Sequence, residues 1–206
     1  MEWSSIISVI VAAVAAIGLP LALKKRKKDS PQLVEQLLHH LHEIGVKVSL
    51  VEDGTEAQAG VRRSRAERAE GVIKLQGSQV DYIRVTSVTS QYGVKYFLDY
   101  LVVSPEYASR SQRRKTKLVR KKASGFRGKV VDIEWKGDDY LSQALNLDYR
   151  LKDKLLTDEL DELRSGIWII PEPKHEHVRV RTYYLLPSPG SLQAVEIIAR
   201  HIKSGW

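Results

Sequence analysis

The sequence predicts an α+β fold, with a single N-terminal transmembrane helix followed by one domain that has a mainly antiparallel sheet and flanking helices. Three observations lead to this prediction. An uncharged stretch near the N-terminus is long enough to cross a bilayer, and basic residues follow it directly. Beyond it, β-rich segments come in runs, and helical segments lie between the runs. The 178 residues that remain, 206 minus 28, are enough for one domain with its own core.

The predicted membrane span covers eighteen residues, Ile6 to Leu23, none of which is charged. At ~1.5 Å rise per residue such a helix is ~27 Å long, close to the ~30 Å hydrocarbon core of a bilayer. Glu2 is the only charge before it and Lys24 to Lys28 are all basic, so the N-terminus is expected outside the cell. A cleaved signal peptide is disfavoured because its basic region would precede the apolar run. Residues 1–28 are therefore expected to anchor a single-pass protein in the cell membrane, with residues 29–206 as a cytoplasmic α+β domain.

The net charge of +8 comes from two short segments of the chain. Lys24 to Lys28 contribute five positive charges, and the segment from Arg110 to Arg127 contributes nine without any acid. The rest of the chain therefore has a net charge of 8 − 14 = −6, which argues against a uniformly basic nucleic-acid-binding domain. The absence of cysteine excludes disulfides, thiolate catalysis and Cys-ligated metal sites.

The first half of the domain begins with a predicted amphipathic helix. Ser30 and Pro31 have the residue types of an N-cap and a first helical position, and apolar residues recur at helical spacing until Gly45. Val46 to Val51 predicts a short strand. The polar segment from Thr55 to Glu70 fits either an exposed helix or a loop.

Three β-rich segments then predict an antiparallel meander: Val72–Leu75, Val80–Val88 and Val94–Val103. Turns that contain glycine separate them, as in consecutive hairpins. The third segment is apolar on both faces, which indicates a central strand.

The second half of the domain mixes strands and helices. Residues 105–128 are predicted to form a long basic loop, followed by a strand over Val130–Trp135 and one or two helices between Asp138 and Leu163. The apolar run Ile167–Ile170 predicts a buried strand that pairs with the alternating segment Val178–Leu186. A proline- and glycine-rich turn then leads into a last amphipathic helix.

The basic loop is the main candidate for a binding function. It has too few apolar residues to insert into a membrane as an amphipathic helix, so it must act through its charge. Beside the cytoplasmic leaflet, each Lys or Arg can contribute ~1 kcal/mol of attraction to anionic lipid. The candidate residues are Arg110, Arg113, Arg114, Lys115, Lys117, Arg120, Lys121 and Lys122.

Several partners are compatible with the charge of this loop. Anionic lipid, an acidic protein partner and a loop that is merely solvated all fit the charge pattern. Nucleic acid fits less well, because the basic stretch from Arg110 to Lys122 contains no aromatic residue on which single-stranded bases could stack. The expected function is therefore that of a membrane-anchored cytoplasmic binding or assembly module.

An enzyme with an unrecognised site is the alternative class of protein. One possible site contains Asp132, Glu134 and Asp138, although apolar residues alternate with the first two as on a strand with one wet face. The other contains His175, His177 and Arg179, where the neighbouring arginine favours an anion over a metal, and a solvated polar strand face is the simpler interpretation. Phosphate-binding glycine loops and nucleophile motifs are absent from the sequence, which argues against catalysis.

The sequence predicts neither a metal site nor a cofactor. His39 and His42 are one helical turn apart, but they point away from the apolar stripe of their helix and are expected in solvent. No residue pattern of a known family is evident in the chain.

Overall fold

An eight-stranded antiparallel sheet forms the centre of the computed structural model, which describes residues 32–51, 66–109, 114–123, 130–156, 160, 163 and 166–204. In chain order the strands are β1 Val48–Leu50, β2 Glu67–Leu75, β3 Tyr82–Ser90, β4 Gly93–Val103, β5 Thr116–Lys122, β6 Val130–Lys136, β7 Trp168–Glu172 and β8 His177–Tyr183. The helices are α1 (32–43), α2 Pro105–Ser109, α3 Asp139–Leu147, α4 Tyr149–Leu156 and α5 Pro189–Lys203. A 3-10 turn, Pro173–His175, connects β7 to β8. The α+β class and the mainly antiparallel sheet are thereby confirmed.

The spatial order of the strands is β1-β2-β3-β4-β8-β7-β5-β6. The meander β2-β3-β4 forms one half of the sheet, and the later strands join it where β8 pairs with β4. The predicted pairing of the apolar run Ile167–Ile170 with the segment that starts at Val178 is confirmed, because Ile169 lies opposite Val180. The two β regions of the sequence therefore form a single sheet.

One face of this sheet packs against the helices. Leu37 and Leu41 of α1 and Ile198 of α5 are completely buried in the same cluster as Ile83 and Val180 of the strands. Burial of a large apolar side chain contributes about 1.5–3 kcal/mol each, so this cluster is the main source of stability. Helix ends are capped in the expected way, since the side chain of Ser188 accepts a hydrogen bond from the Ser191 amide at the start of α5.

The opposite face of the sheet, called the polar face below, carries the alternate residues of each strand. Val72 and Leu101 point to this side and are buried, but they do not belong to the cluster that the helices cover. Their neighbours on the same face include the charged residues Arg84, Asp99 and Arg179. The polar face therefore differs chemically from the helix-covered face.

Two sequence predictions need correction. The segment 105–128 is not a loop throughout, because α2 occupies Pro105–Ser109 and β5 occupies Thr116–Lys122. The segment Thr55 to Glu70 was expected to be an exposed helix or a loop, but its last residues belong to strand β2, which begins at Glu67. In both places backbone pairing with neighbouring strands outweighs the polar composition of the segment.

The predicted membrane span, residues 6–23, lies outside the described residues. Within the ranges described above, no helix is both long and apolar enough to cross a membrane.

Candidate functional site

A row of directly paired residues crosses the polar face of the sheet and brings together two regions that the sequence suggested separately. Each member lies opposite the next on the neighbouring strand, so the side chains form one continuous line. The row consists of Val72, Arg84, Asp99, Arg181, Trp168, Lys117 and Lys136. The basic segment, through Lys117, therefore shares a surface with the arginines of β8.

Asp99 is the centre of an ionic cluster in this row. Its carboxylate is fully buried and accepts two hydrogen bonds from Arg181, from Nε at 2.6 Å and from Nη2 at 2.8 Å. The Thr86 hydroxyl donates a third at 2.6 Å. Arg84 Nη2 and Arg179 Nη1 approach the same carboxylate at 3.4 Å and 3.5 Å. One carboxylate therefore faces three guanidinium groups.

Two further carboxylates complete the cluster from neighbouring strands. Glu67 of β2 accepts a hydrogen bond from Arg179 at 2.7 Å and one from Arg181. Glu172 of β7 lies 2.9 Å from Arg179 and 3.0 Å from Nε2 of His177. The ionic cluster thus consists of Arg84, Arg179, Arg181, Glu67, Asp99, Glu172 and His177.

The pKa values of Asp99 and Glu172 show that these two carboxylates are held in the charged form. Burial by itself raises the pKa of Asp99, but the hydrogen bond from Arg181 and the charges of Arg179, Arg181 and Arg84 outweigh it and lower that pKa to about 2. Burial also opposes ionisation of Glu172, whose pKa is nevertheless lowered by the His177 hydrogen bond and the nearby arginines. The pKa of Arg181 is raised, because its hydrogen bond and attraction to Asp99 exceed the effect of burial. Asp99, Glu172 and Arg181 are therefore ionised at neutral pH.

Acid is expected to destabilise the fold through Asp99. Because its pKa in the folded chain is lower than its ordinary value, ionised Asp99 stabilises the fold above about pH 4, and this contribution is lost as the pH falls towards 2. A fall from 3.8 to about 2 corresponds to about 2 kcal/mol. Denaturant unfolding measured between about pH 5 and about pH 2.5 should show this decrease. A free energy of unfolding that stays constant over that interval would contradict it.

Arg84 is the least satisfied member of the cluster. Its side chain is fully buried, yet among the described residues its one hydrogen-bonding contact is the 3.4 Å approach to Asp99. Within the part of the chain that the structure describes, its Nε and Nη1 atoms have no hydrogen-bond partner, and neither does Nε of Arg179. Buried N–H groups without a partner are uncommon and call for an explanation.

Aromatic rings adjoin the cluster on the polar face. The ring of Tyr183 stacks on Phe97 with centroids 5.0 Å apart and meets Trp168 edge-on at 5.5 Å. Arg181 lies 4.8 Å above the ring of Phe97, and Lys115 Nζ lies 5.7 Å from that of Trp168. These distances are typical of cation–π contacts. Cations and half-buried aromatic rings therefore alternate across this part of the sheet.

The predicted binding residues of the basic segment lie in different environments. Arg110 and Arg113 fall outside the described residues, and Arg114 is exposed just before β5. Arg120 is partly buried and donates to the carbonyl oxygen of Leu163. Lys121 pairs with two carboxylates of β6 and Lys122 is exposed at the end of β5.

For Lys115 and Lys117, no carboxylate oxygen of the described chain lies within 4 Å of the ammonium group. Both residues are exposed; Lys115 Nζ lies 5.7 Å from the Trp168 ring, and Lys117 lies opposite Trp168 on the neighbouring strand. The pKa of Lys115 is lowered, first by partial desolvation and then by repulsion from Arg181, Arg179 and Lys117. This surface is therefore a concentration of positive charge that a bound anion would relieve.

The carboxylates suggested for catalysis do not share a cleft. Asp132 and Glu134 are paired with lysines of β5, β6 and α4, and the pKa of each is lowered. The hydrogen bond from Lys152 is the largest cause for Asp132, whereas for Glu134 the lysine hydrogen bonds overcome desolvation. Asp138 caps α3 by accepting a hydrogen bond from the Leu141 amide at 3.0 Å. All three therefore have structural roles in stabilising charges and a helix end.

The group of His175, His177 and Arg179 lies only partly where the sequence predicted it. His177 and Arg179 share one face of β8, but His175 lies in the 3-10 turn rather than in a strand. The interpretation of this face as a solvated one is wrong, since His177 and Arg179 are only 5% and 9% exposed. No group of three or more histidine or acidic side chains in the described ranges is arranged to hold a metal ion.

A separate cleft of about 680 Å³ lies on the helical side of the molecule, between α3, α4 and α5. Tyr140, Leu147 and Tyr149 line it and are 67%, 62% and 72% exposed. Its polar members are Gln143, Arg150 and the ion pair of His201 with Asp148 at 2.8 Å. Nothing in the structure identifies an occupant for it.

Sequence reasoning missed Arg84, Asp99, Glu67 and Glu172, which are four of the seven members of the ionic cluster. A signal existed for Asp99, because a charged residue between Leu98 and Tyr100 is unusual in a strand predicted to be central. Comparisons with protein-family models, with curated proteins and with solved structures give no match. Functional conclusions therefore depend on the geometry of the polar face.

Proposed function

We propose that this chain is a membrane-anchored, non-catalytic binding module that holds its polar sheet face against anionic lipid headgroups. Ile6 to Leu23 would form the anchor, and the basic residues Lys24 to Lys28 would place residues 29–206 on the cytoplasmic side. The contact surface would be formed by Arg114, Lys115 and Lys117 around Trp168.

The observation that supports this proposal is the pair of lysines beside Trp168. Lys115 and Lys117 lack a carboxylate partner within the described residues, and Lys136 continues the same row of cations. Tryptophan prefers the headgroup level of a bilayer, where its ring is partly apolar and partly hydrated. A lysine near an anionic leaflet contributes ~1 kcal/mol of electrostatic attraction. This attraction is significant only because the anchor would keep the lysines close to the headgroups.

The carboxylate geometry also favours binding over catalysis. A carboxylate acts best as a general acid or base near neutral pH when its pKa is raised. The pKa values of Asp132, Glu134 and Glu172 are all lowered by nearby cations. These groups stay ionised and balance charge.

Lipid contact can be tested with a fluorescent probe, because the chain has no cysteine of its own. Val119→Cys places a label on the polar face of β5, and Gln143→Cys places a control label on α3. The full chain would be reconstituted into vesicles of phosphatidylcholine, with or without phosphatidylserine. We expect phosphatidylserine to protect the label at position 119 from acrylamide about twofold, and to leave the label at 143 unchanged.

Charge variants provide the control for this experiment. Lys115→Glu with Lys117→Glu should abolish the protection at position 119. Lys47→Glu with Lys174→Glu changes the net charge equally at exposed sites elsewhere and should not. Equal quenching of the label at 119 in both kinds of vesicle would refute lipid contact through β5.

Single-stranded nucleic acid is a second candidate ligand, favoured by one observation. The basic segment itself contains no aromatic residue near its lysines, but the sheet supplies Trp168, Tyr183 and Phe97 from other strands. Bases can stack on such rings while lysines contact the backbone. A labelled oligonucleotide that binds the wild-type chain, but not the Lys115→Glu, Lys117→Glu variant, while vesicles give no protection, would favour this candidate over lipid.

A further inference from the structure

We propose that the tip of the hairpin between β3 and β4, residues 90–93, is a membrane contact in which Tyr92 lies at the headgroup level of the bilayer. Such a contact rests on the anchor of the function proposed above and adds the direction in which the sheet points. The end of the sheet that carries the tip would face the bilayer. The sheet would then be inclined, and would not lie flat on its polar face.

The start of α1 lies at the same end of the sheet as the hairpin tip. The Tyr184 hydroxyl donates a hydrogen bond of 2.7 Å to the carbonyl oxygen of Leu33, and the Tyr184 amide donates one of 3.0 Å to the carbonyl oxygen of Tyr96 on β4. Val34 packs over Gly71 of β2, since a Cβ at Gly71 would lie 2.9 Å from a methyl group of Val34. The chain therefore enters the domain near the tip.

The length of chain between the anchor and α1 limits how the domain can be oriented. Lys28 ends the basic flank of the anchor, and Leu33 follows it by 33 − 28 = 5 residues. Five residues span at most ~18 Å. In the turn at the other end of β3, the Asp81 amide donates to the carbonyl oxygen of Leu101, which lies five residues beyond Tyr96, or ~17 Å along β4. Pointing that turn at the bilayer would therefore use almost the full reach of the chain, whereas pointing the tip at it would not.

Tyr92 has the exposure of a side chain that is available to lipid. It is 89% exposed, the highest value for any large apolar side chain in the described ranges. The Ser90 hydroxyl holds the tip, because it donates to the carbonyl oxygen of Gly93 at 3.2 Å and accepts from the Tyr92 amide at 3.3 Å. Tyrosine is enriched at membrane–water interfaces, where its ring meets apolar groups and its hydroxyl stays hydrated. The tip therefore presents a suitable residue on a defined backbone.

The two turns at the ends of β3 differ in the groups that a bilayer would desolvate. No acidic residue occurs from residue 82 to residue 98, and Lys95 is exposed near the tip. The opposite turn contains Asp81, which pairs with Lys203 at 3.0 Å, and its backbone donates a hydrogen bond of 2.9 Å to Glu196. Removing a carboxylate from water is costly. Headgroup contact through the tip avoids this cost, which contact through the other turn would incur.

A pair of labelled glutamine positions tests this orientation. Gln91→Cys places a fluorescent label in the tip, and Gln76→Cys places the same label in the turn at the other end of β3. Both glutamines are exposed, and the nine residues of β3 separate the labels by ~30 Å. The full chain would be reconstituted into phosphatidylcholine vesicles that contain a lipid with a spin-labelled headgroup, which quenches fluorophores near the surface. We expect the label at position 91 to be quenched at least ~2-fold more strongly than the label at position 76.

Two tyrosine variants test the contribution of Tyr92 itself. In the Gln91→Cys chain, Tyr92→Ser should reduce the quenching to the level seen at position 76. Tyr149→Ser is the matched control and should leave the quenching unchanged, because Tyr149 is 72% exposed at the start of α4. Both substitutions remove an exposed ring, so neither opens a cavity in the core. Full quenching that persists in Tyr92→Ser would overturn the proposal.

The labels also separate this contact from the proposed function. Equal quenching at positions 91 and 76 would mean that the sheet lies flat, and an unquenched label at 91 would mean that the tip points away from the bilayer. Either result overturns the tip contact, while protection of the label at position 119 by phosphatidylserine would still support the proposed function. Quenching at 91 without protection at 119 would support the tip contact and contradict lipid contact through β5. A full chain that does not float with the vesicles would contradict the anchor, and with it both proposals.

Discussion

Replacing Asp99 with asparagine is expected to lower the free energy of unfolding by about 3–5 kcal/mol, the range found when one partner of a buried ion pair is removed. Asp99 is fully buried and serves Arg84, Arg179 and Arg181 together. Asparagine has nearly the same shape but no charge, so the three cations would face only Glu67 and Glu172. Urea-induced unfolding of the full chain in detergent measures the loss.

The control for this prediction is Asp132→Asn, which removes a partly exposed carboxylate paired with Lys121 and Lys152. Its stability should stay close to that of the wild-type chain. In addition, combining Asp99→Asn with Arg84→Met should recover part of the loss, because the double variant removes one of the uncompensated cations. Equal effects of the two aspartate substitutions would show that Asp99 does not organise the cluster.

Gly137→Ala is expected to cost about 3 kcal/mol, through backbone strain and overpacking combined. Gly137 has a φ of +146°, and an added Cβ would lie 2.2 Å from the carbonyl oxygen of Lys115 and 2.6 Å from Cα of Thr116. Both of these are backbone atoms at the start of β5, so no side-chain rotation can relieve the contact. Thermal and urea unfolding should both show the decrease.

A matched glycine separates the two contributions. Gly77 also has a positive φ of +71°, but nothing lies within 4 Å of the position where its Cβ would be. Gly77→Ala should therefore cost only about 1 kcal/mol, from backbone strain alone. A similar cost at both positions would show that the close approach to Lys115 and Thr116 has little effect.

The strands of the meander and of the β7–β8 pair were predictable from the sequence, because their apolar residues alternate or run without interruption. Val178 and Val180 alternate with charged residues, and Ile167–Ile170 is wholly apolar, so both patterns indicate strands whatever their neighbours are. The end of α1 at Gly45 and the start of α5 after its proline- and glycine-rich turn were predictable as well.

Strand β5 was not predictable in the same way. Leu118 and Val119 are its only aliphatic residues, and five of its seven positions are polar or charged. It is a strand because Lys117 pairs with both Trp168 and Lys136, and these backbone contacts come from distant parts of the chain. A composition that suggests a solvated loop therefore forms an ordered surface.

The candidate site also depends on distant contacts. Arg181 and Glu67 are 114 positions apart, and Arg181 and Asp99 are 82 apart, so no local pattern connects them. Alternation correctly predicts that His177, Arg179 and Arg181 share a face, but alternation alone favours solvent for that face. Their burial follows from the ion pairs that reach across several strands.

The amino-acid sequence by itself determined the α+β class, most strands, the amphipathic helices and the uneven distribution of positive charge, because each of these is encoded in short-range periodicity or composition. Only the tertiary structure decided the order of the strands, the strand character of the basic segment and the assembly of Arg84, Asp99 and Arg181 into one row. Strand pairing is a long-range choice, and the free energy that selects it comes from the whole sheet rather than from any one segment.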